Sequence, residues 1–165
     1  MKAIQDTAIG QHLTFKLDQE SYAVSVGNVQ EILEYLPITR LPQTPEFMRG
    51  IMNVRGNVVP VIDLRLKFGM SRTKDTINTC IIVMELITNE EKTVIGVLAD
   101  SAEEVIEFGE EDIEPAPKMG TGVDTELIQG IGKRGNDFTM LLDVNKIFSS
   151  EEMMQFHEAG MQTHS

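Results

Sequence analysis

An internal duplication is the sequence feature that most constrains how this chain can fold. Residues 50–68, GIMNVRGNVVPVIDLRLKF, are echoed at the same length by residues 130–148, GIGKRGNDFTMLLDVNKIF. A second echo relates residues 22–34 to residues 95–107, and a longer loop around residues 115–126 lies between the two matches in the second copy. Such a repeat predicts a fold built from two similar halves.

The two copies, at about residues 12–68 and 79–148, are too small to fold separately. A unit of about 60 to 70 residues is marginal as an independent domain, because it buries too little of its surface. The whole chain of 165 residues has the size of one ordinary domain, and no linker-like composition separates the copies. We therefore expect residues 10–150 to form a single domain whose two similar halves share a core. A C-terminal helix and a frayed tail are expected at residues 151–165.

Short strands dominate the predicted secondary structure. Apolar residues alternate with polar ones at residues 12–17 and 22–26, which predicts one hairpin, and residues 51–54 and 58–62 predict a second. Many short strands separated by turns are typical of small barrels and sandwiches. Because the chain is duplicated, we predict an all-β fold of two small barrels with few helices.

Two short segments have helical character. Residues 29–34 follow Asn28, which suits an N-cap position, and residues 151–157 follow Ser149 and Ser150. Acidic residues at the start of the later segment suit the positive end of a helix. We therefore predict a short helix in the first copy and a terminal helix after the second.

Composition argues against several classes of function. The net charge of −12 opposes binding to nucleic acid or to an anionic membrane, since phosphate groups require clustered Lys and Arg. No apolar run is long enough to span a bilayer and no signal peptide is recognisable, so a cytosolic protein is expected. The single cysteine, Cys80, lies in a strand-like apolar run and is predicted to be a buried, unreactive thiol.

The charges are unevenly distributed along the chain. Residues 40–74 are rich in Arg and Lys, whereas residues 100–114 are rich in acids and contain no base. Two solvated faces would produce this distribution, and so would a surface with opposed patches that orients protein partners. The residues alone leave both explanations open.

Motifs for catalysis, metal binding or nucleotide binding are weak. Residues 130–135 spell G-x-G-x-x-G, but a turn and a strand follow instead of the helix that a dinucleotide site requires. The histidines, His12, His157 and His164, have no partners at ligand spacing. The sequence therefore predicts no catalytic residue, no metal and no cofactor, and we expect that the chain is not an enzyme.

Glu31 and Arg55 stand out because the expected fold does not explain them. Arg55 sits at the predicted tip of the second hairpin, where the second copy has Gly135. An ordinary exposed turn residue and an interface anchor are both consistent with this position. Arginine on a rigid turn suits an anchor, because its planar guanidinium pairs bidentately and its stem packs against a partner.

Longer motifs identify a family that this chain resembles. Residues 53–65 read N-x-R-G-x-x-x-P-x-x-D-L-R, accompanied by YAVSV at residues 22–26 and VQEI at residues 29–32. Together with GVLAD at residues 96–100 and IEPAP at residues 113–117, these segments resemble the CheW-type chemotaxis coupling proteins. The resemblance covers nearly the whole chain.

The resemblance implies a specific fold and function. It implies two SH3-like five-stranded β-barrels related by a pseudo-twofold axis, with short helices and a C-terminal helix. It also implies an adaptor that couples transmembrane chemoreceptors to the CheA histidine kinase and helps to assemble receptor arrays. The implied partners are the regulatory domain of CheA and the cytoplasmic tip of methyl-accepting chemoreceptors, and contacts with other CheW copies in rings are left open. Such an adaptor would be cytoplasmic and would reach inner-membrane arrays through its partners, without inserting into the membrane.

The resemblance also implies partner-binding residues on the first copy. Four of them match family positions implicated in contacts with receptor or kinase, and Leu33 and Asn53 are added as their neighbours. The predicted partner-binding residues are Val29, Glu31, Leu33, Gly50, Asn53 and Arg55.

Two other classes of protein compete with the adaptor. The first is a regulatory module of a kinase or of a response-regulator protein, and the length of the chain argues against it because no room remains for an ATP-binding or phosphoacceptor domain. The second is a small enzyme, which no constellation of catalytic residues supports.

Overall fold

The computed structural model of the protein describes residues 10–88, 90–115 and 127–161. The loop predicted around residues 115–126 and the end of the predicted tail lie almost entirely outside these ranges. No helix within them is long and apolar enough to cross a membrane. The strands are β1 (Gly10–Leu17), β2 (Glu20–Ser25), β3 (Val29–Glu34), β4 (Met48–Val54), β5 (Asn57–Asp63), β6 (Cys80–Thr88), β7 (Glu91–Ala99), β8 (Ser101–Phe108), β9 (Ile113–Glu114), β10 (Ile128–Arg134) and β11 (Asp137–Leu142). The helices are α1 (Leu64–Lys67) and α2 (Ser150–Met161).

The strands form two sheets that repeat one order. The first sheet has the order β3-β6-β7-β5-β4, and the second has the order β8-β1-β2-β11-β10-β9. Under the sequence repeat β1 corresponds to β6, β2 to β7, β3 to β8, β4 to β10 and β5 to β11, so the two orders are equivalent apart from the two-residue β9. Each sheet forms a small SH3-like barrel, which confirms the predicted fold class. We call them the first barrel (β3–β7) and the second barrel (β1, β2 and β8–β11).

Each barrel takes strands from both copies of the sequence repeat. The first barrel combines β3, β4 and β5 of the first copy with β6 and β7 of the second copy, and the second barrel combines the remaining strands. One parallel pairing in each barrel joins the copies, with Val61 opposite Gly96 and Leu141 opposite Ala23. The barrels therefore do not coincide with the repeat copies, and neither copy supplies a whole barrel.

The largest apolar core joins the two barrels to α2. It combines Phe15 and Tyr22 of the second barrel with Ile62 and Met84 of the first barrel and Phe156 of α2, all of them fully buried. This shared core makes the two barrels one packed unit. Smaller clusters fill the barrels themselves: Met52, Val59, Val61, Ile81, Val83 and Leu98 in the first, and Ala23, Phe108, Ile113 and Leu141 in the second.

The helix predicted at residues 29–34 is wrong. These residues form β3, which pairs antiparallel with β6 and places Glu31 opposite Val83. A 3-10 turn at Val26–Asn28, in which the Ser25 hydroxyl accepts the N–H of Gly27, stands where the helix start was expected. Half-buried and exposed residues alternate along β3, but a run this short does not distinguish a strand from a helix by sequence alone.

The predicted terminal helix is present and is longer than predicted, spanning Ser150–Met161. Ser149 and Glu152 form a capping box: the Ser149 hydroxyl accepts the N–H of Glu152 at 3.1 Å, and the Glu152 carboxylate accepts the N–H of Ser149 at 2.8 Å. Lys67 Nζ of α1 donates to the same carboxylate at 2.8 Å. The cap thus starts α2 and also fixes it against α1.

Cys80 opens β6 and is buried, as predicted. Burial raises the pKa of its thiol above the ordinary value, which disfavours the reactive thiolate.

Candidate functional site

Three of the predicted partner-binding residues lie on β3, an outer strand of the first barrel. Val29, Glu31 and Leu33 are half-buried and alternate with exposed residues. Val29 packs against the core that joins the barrels, and Leu33 packs against the apolar interior of the first barrel. The carboxylate of Glu31 therefore projects from a strand that is anchored on both sides of it.

Asn53 and Arg55 lie at the tip of the hairpin formed by β4 and β5. Arg55 and Gly56 have φ values of 52° and 86°, so both central residues of the turn are left-handed, as in a type I′ turn. The Asn53 side-chain oxygen accepts the N–H of Gly56 at 2.8 Å, which fixes the turn from its own strand. The turn presents the Arg55 side chain, 74% exposed, to solvent.

A bidentate ion pair joins Glu31 to Arg55. Arg55 Nη2 donates to Glu31 Oε1 at 2.7 Å, and Arg55 Nη1 donates to Glu31 Oε2. Because β3 and β4 are the two outer strands of the sheet, the pair spans the place where the first barrel closes. The hydrogen bonds to Glu31 raise the pKa of the Arg55 guanidinium above its ordinary value. The pair holds a guanidinium in one orientation on the surface, which lowers the entropy that a partner must remove when it binds.

Gly50 has a conformational role in β4. Its φ is 145°, and a β-carbon there would overlap the carbonyl oxygen of Thr39. Thr39 and Ile51 exchange two backbone hydrogen bonds of 2.8 Å, which cover the outer edge of β4. Gly50 is buried beneath this crossing. Its direct contact with a partner stays a prediction.

Sequence reasoning missed a second ion pair in the second barrel. Glu104 of β8 corresponds to Glu31, and Arg134 Nη1 donates to Glu104 Oε1 at 2.8 Å. In the repeat alignment Arg55 corresponds to Gly135, so Arg134 stands one position earlier in its hairpin than Arg55 does in the first. The signal was an arginine directly before a turn glycine in both copies, and a position-by-position comparison hides it. An arginine–glutamate pair thus lies at the closure of each barrel. This repeated structural role partly explains why an arginine stands at position 55.

A buried polar network was also missed. Asp63, fully buried at the end of β5, accepts from Arg49 Nη1 at 3.0 Å, from the Thr73 N–H at 3.0 Å and from the Thr73 hydroxyl at 2.6 Å. Asp63 also accepts the N–H of Arg65 at the start of α1, at 3.2 Å. Arg65 Nη1 in turn donates at 2.8 Å to Asp100, where the chain passes from β7 of the first barrel to β8 of the second. The network therefore fixes the connection between the barrels.

Residues 130–135 form the end of β10 and its turn, as the hairpin interpretation of the G-x-G-x-x-G motif predicted. Across the described ranges, no group of three or more His, Cys, Asp and Glu is placed to hold a metal ion. The candidate site offers a preformed charged pair on a rigid strand and turn.

Known proteins are similar to this chain over most of its length. The family model of the CheW-like domain matches residues 11–152. The chemotaxis protein CheW of Klebsiella aerogenes is 37% identical over 152 residues, which cover 92% of this chain and 89% of that protein. The chemotaxis protein CheW of Helicobacter pylori is 33% identical over 141 residues, which cover 86% of this chain and 82% of that protein.

A solved structure is similar along the same length. The scaffolding protein TtCheW from Thermoanaerobacter tengcongensis matches with a TM-score of 0.75 and 32% identity, over 87% of this chain and 90% of that chain. Fold and sequence thus agree over both barrels. This chain belongs to the family of proteins with a CheW-like domain.

Proposed function

We propose that this protein is a chemotaxis signal-transduction adaptor that couples transmembrane chemoreceptors to the CheA histidine kinase and helps to assemble receptor arrays. Membership of the CheW-like family supports the proposal, as do relatives that are chemotaxis proteins and a structural neighbour described as a scaffolding protein. Its work is simultaneous binding, without catalysis.

The observation that carries the proposal is the Glu31–Arg55 pair on the first barrel. The exposed guanidinium of Arg55 is held in one orientation by Glu31. The half-buried apolar residues Val29 and Leu33 lie on the same strand as Glu31. Arginine beside a small apolar patch is typical of the residues that dominate binding energy at protein interfaces. In the proposed site, Asn53 and Gly50 keep the hairpin and the backbone beneath it in the binding geometry.

Rigidity is the mechanical requirement for an adaptor. Two modest interfaces on one rigid body raise the effective concentration of the kinase near the receptor. The core shared by the barrels and the Asp63–Arg65–Asp100 network provide that rigidity. A shift at one interface then changes the geometry of the other, which is the form that coupling between the partners takes.

The proposed partners are the regulatory domain of CheA, the cytoplasmic tip of methyl-accepting chemoreceptors and other copies of the adaptor in rings. The protein would act in the cytoplasm and would be recruited to inner-membrane arrays through these partners. Nucleic acid is not among them, because the net charge of −12 repels phosphate groups.

Co-sedimentation tests the proposal. The purified protein is mixed with membranes that contain chemoreceptors, with and without CheA, and the pelleted fraction is measured. We expect the protein to pellet with receptor membranes and to increase the amount of CheA in the pellet. A protein that stays in the supernatant in both mixtures would contradict the adaptor function.

A further inference from the structure

A surface cavity collects three arginines on an acidic protein. Arg40, Arg49 and Arg72 line it together with the loop at residues 41–46, and Glu46 is the one acid in its wall. The chain as a whole has a net charge of −12. The charge of the cavity wall is therefore opposite in sign to the net charge of the protein.

Hydrogen bonds at or next to each arginine fix the backbone from which its side chain extends. Arg40 follows Thr39, which is bonded to the backbone of β4. Arg49 donates to the buried carboxylate of Asp63 at 3.0 Å. Arg72 precedes Thr73, whose N–H and hydroxyl both donate to that carboxylate. Asp63 thus holds the guanidinium of Arg49 directly and fixes the backbone next to Arg72.

The positive charge of this cavity is only partly neutralised. Arg49 pairs with Asp63 through Nη1 alone. Within residues 10–88, 90–115 and 127–161, neither Arg40 nor Arg72 makes an ion pair, and both are exposed. Three guanidinium groups that share a cavity with one carboxylate in its wall, that of Glu46, favour an anionic ligand, because it reduces their mutual repulsion and accepts charge-assisted hydrogen bonds.

The cavity continues as a groove towards α2. A second cavity shares Leu41, Pro42 and Met48 with the first and extends along α2 to Ala159. Glu158 stands at this far end. The groove therefore has a cationic end and a far end of mixed character, where Pro42 and Met48 lie beside the polar side chain of Gln155, and it is longer than a single phosphate group requires.

We propose that this groove binds an extended acidic segment of a protein partner. Carboxylates of the segment would meet Arg40 and Arg72, and an apolar residue further along would lie beside Met48 and Ala159. Glu158 repels acids at the far end and so sets the direction of the segment. The surface is separate from the Glu31–Arg55 pair, and the inference does not depend on the adaptor function.

Fluorescence anisotropy with a synthetic peptide tests the inference. The probe is a labelled short peptide of alternating Glu and Leu, titrated with the full chain and with three variants. We expect saturable binding that Arg40→Gln and Arg72→Gln each weaken roughly tenfold, the usual effect of losing one charge-assisted contact. The matched control is Lys92→Gln, which removes one charge at a side chain that is 70% exposed on β7, and it should bind as the native protein does.

Three outcomes would overturn the inference. Equal binding of a matched peptide of alternating Gln and Leu would show that carboxylates are not recognised. Arg40→Gln and Arg72→Gln proteins that bind the acidic peptide as tightly as Lys92→Gln would place the peptide elsewhere. Complete displacement of the peptide by inorganic phosphate at constant ionic strength would assign the cavity to phosphate. A urea titration of each variant checks that these exposed substitutions leave the fold intact.

Discussion

The two barrels share one strand order but differ in what fills them. The strand pairings align interior positions of the first barrel with interior positions of the second. At these positions Met52, Ile81, Val83 and Val59 of the first barrel correspond to Gly132, His12, Thr14 and Thr139 of the second. The same backbone therefore accepts either an aliphatic interior or a partly polar one.

The polar interior of the second barrel is stabilised by specific hydrogen bonds. The Thr14 hydroxyl donates to the Glu104 carbonyl at 2.8 Å and accepts its N–H at 3.1 Å, where the pairing of β1 with β8 shifts register. His12 is buried, with Nδ1 at 3.0 Å from the Gly10 carbonyl oxygen and its ring edge-on to Phe108. Thr14 thus compensates the register shift, whereas the buried Nε2 of His12 has no hydrogen-bond partner among the described residues.

The ion pairs at the two closures differ in the solvent exposure of their glutamate side chains. The Glu31 side chain is 21% exposed, whereas the Glu104 side chain is 60% exposed. A carboxylate that packs against its own strand loses less side-chain entropy on pairing, so the first pair is better defined than the second. The same closure thus holds its arginine against a sheltered carboxylate in the first barrel, as the proposed recognition requires, and forms an ordinary exposed surface pair in the second.

The largest expected difference between equivalent residues concerns Asp63 and Asp143. Both cap a helical turn, but Asp63 also holds the buried network, while Asp143 accepts the N–H of Asn145 at 3.1 Å near the surface. Asp63→Ala should cost about 3–5 kcal/mol of unfolding free energy, because it leaves buried partners unpaired. Asp143→Ala should cost about 1 kcal/mol, as for loss of a cap. Urea titration measures both, and equal losses would refute the asymmetry.

Exchanging the two interiors should destabilise both barrels. Val83→Thr places an unpaired hydroxyl in the aliphatic interior, and Thr14→Val removes both hydrogen bonds to Glu104. Each variant should lose about 1–3 kcal/mol of unfolding free energy. Val105→Thr, at a side chain that is 55% exposed, is the control and should change it by about 0.5 kcal/mol or less. If either exchange is neutral, the interiors are interchangeable and the comparison fails.

The buried His12 makes the stability of the second barrel depend on pH through a histidine, a residue that the strands of the first barrel do not contain. Burial lowers the pKa of His12 below its ordinary value of 6.5, and the hydrogen bond to Gly10 opposes this shift. As the pH falls through about 6.5, the unfolded chain binds a proton that the folded chain resists, so stability decreases until the folded pKa is reached.

His12→Ile copies Ile81 of the first barrel and should remove this contribution. The slope of unfolding free energy against pH should differ between native and variant proteins by at most about 1.4 kcal/mol per pH unit, and only below about pH 6.5. Comparing the two proteins cancels the carboxylates that both contain. Parallel pH profiles would show that His12 is protonated equally in the folded and unfolded chain.

The smallest expected effect is on stability at the two closures. Arg55→Ala and Arg134→Ala each remove an exposed arginine whose pair with glutamate is screened by solvent. We expect neither variant to shift the midpoint of urea unfolding measurably. A clear shift for Arg134→Ala alone would reverse the ranking of the two closures.

Duplication and motifs predicted the barrels, and the exchange of strands between the copies escaped prediction. Val61 pairs with Gly96 across the copies, although pairing within a copy would satisfy the same hydrophobic alternation. Sequence pattern sets which face of a strand is buried, but two similar copies give each strand two equivalent partners. Only packing in three dimensions chooses between them.

The sequence singled out Glu31 and Arg55 but not the geometry that joins them, and their contact with a partner stays a prediction. Glu31 and Arg55 stand out in the sequence, but a helix at residues 29–34, as the sequence predicts, would not bring them together across the barrel closure. The Asp63 network depends on Thr73, in a segment without helix or strand, where no periodic pattern fixes the position of the backbone. Residues that act through loops remain the hardest to predict.

The most direct test of the account is the binding of Arg55→Ala and Arg134→Ala to the CheA regulatory domain and to receptor membranes. Both variants should unfold like the native protein. Arg55→Ala should weaken binding to at least one partner by roughly 5- to 150-fold, and Arg134→Ala should bind both partners normally. Strong destabilisation of Arg55→Ala would contradict the role of Arg55 as an exposed anchor, and so would a stable Arg55→Ala protein that binds both partners at the original affinity.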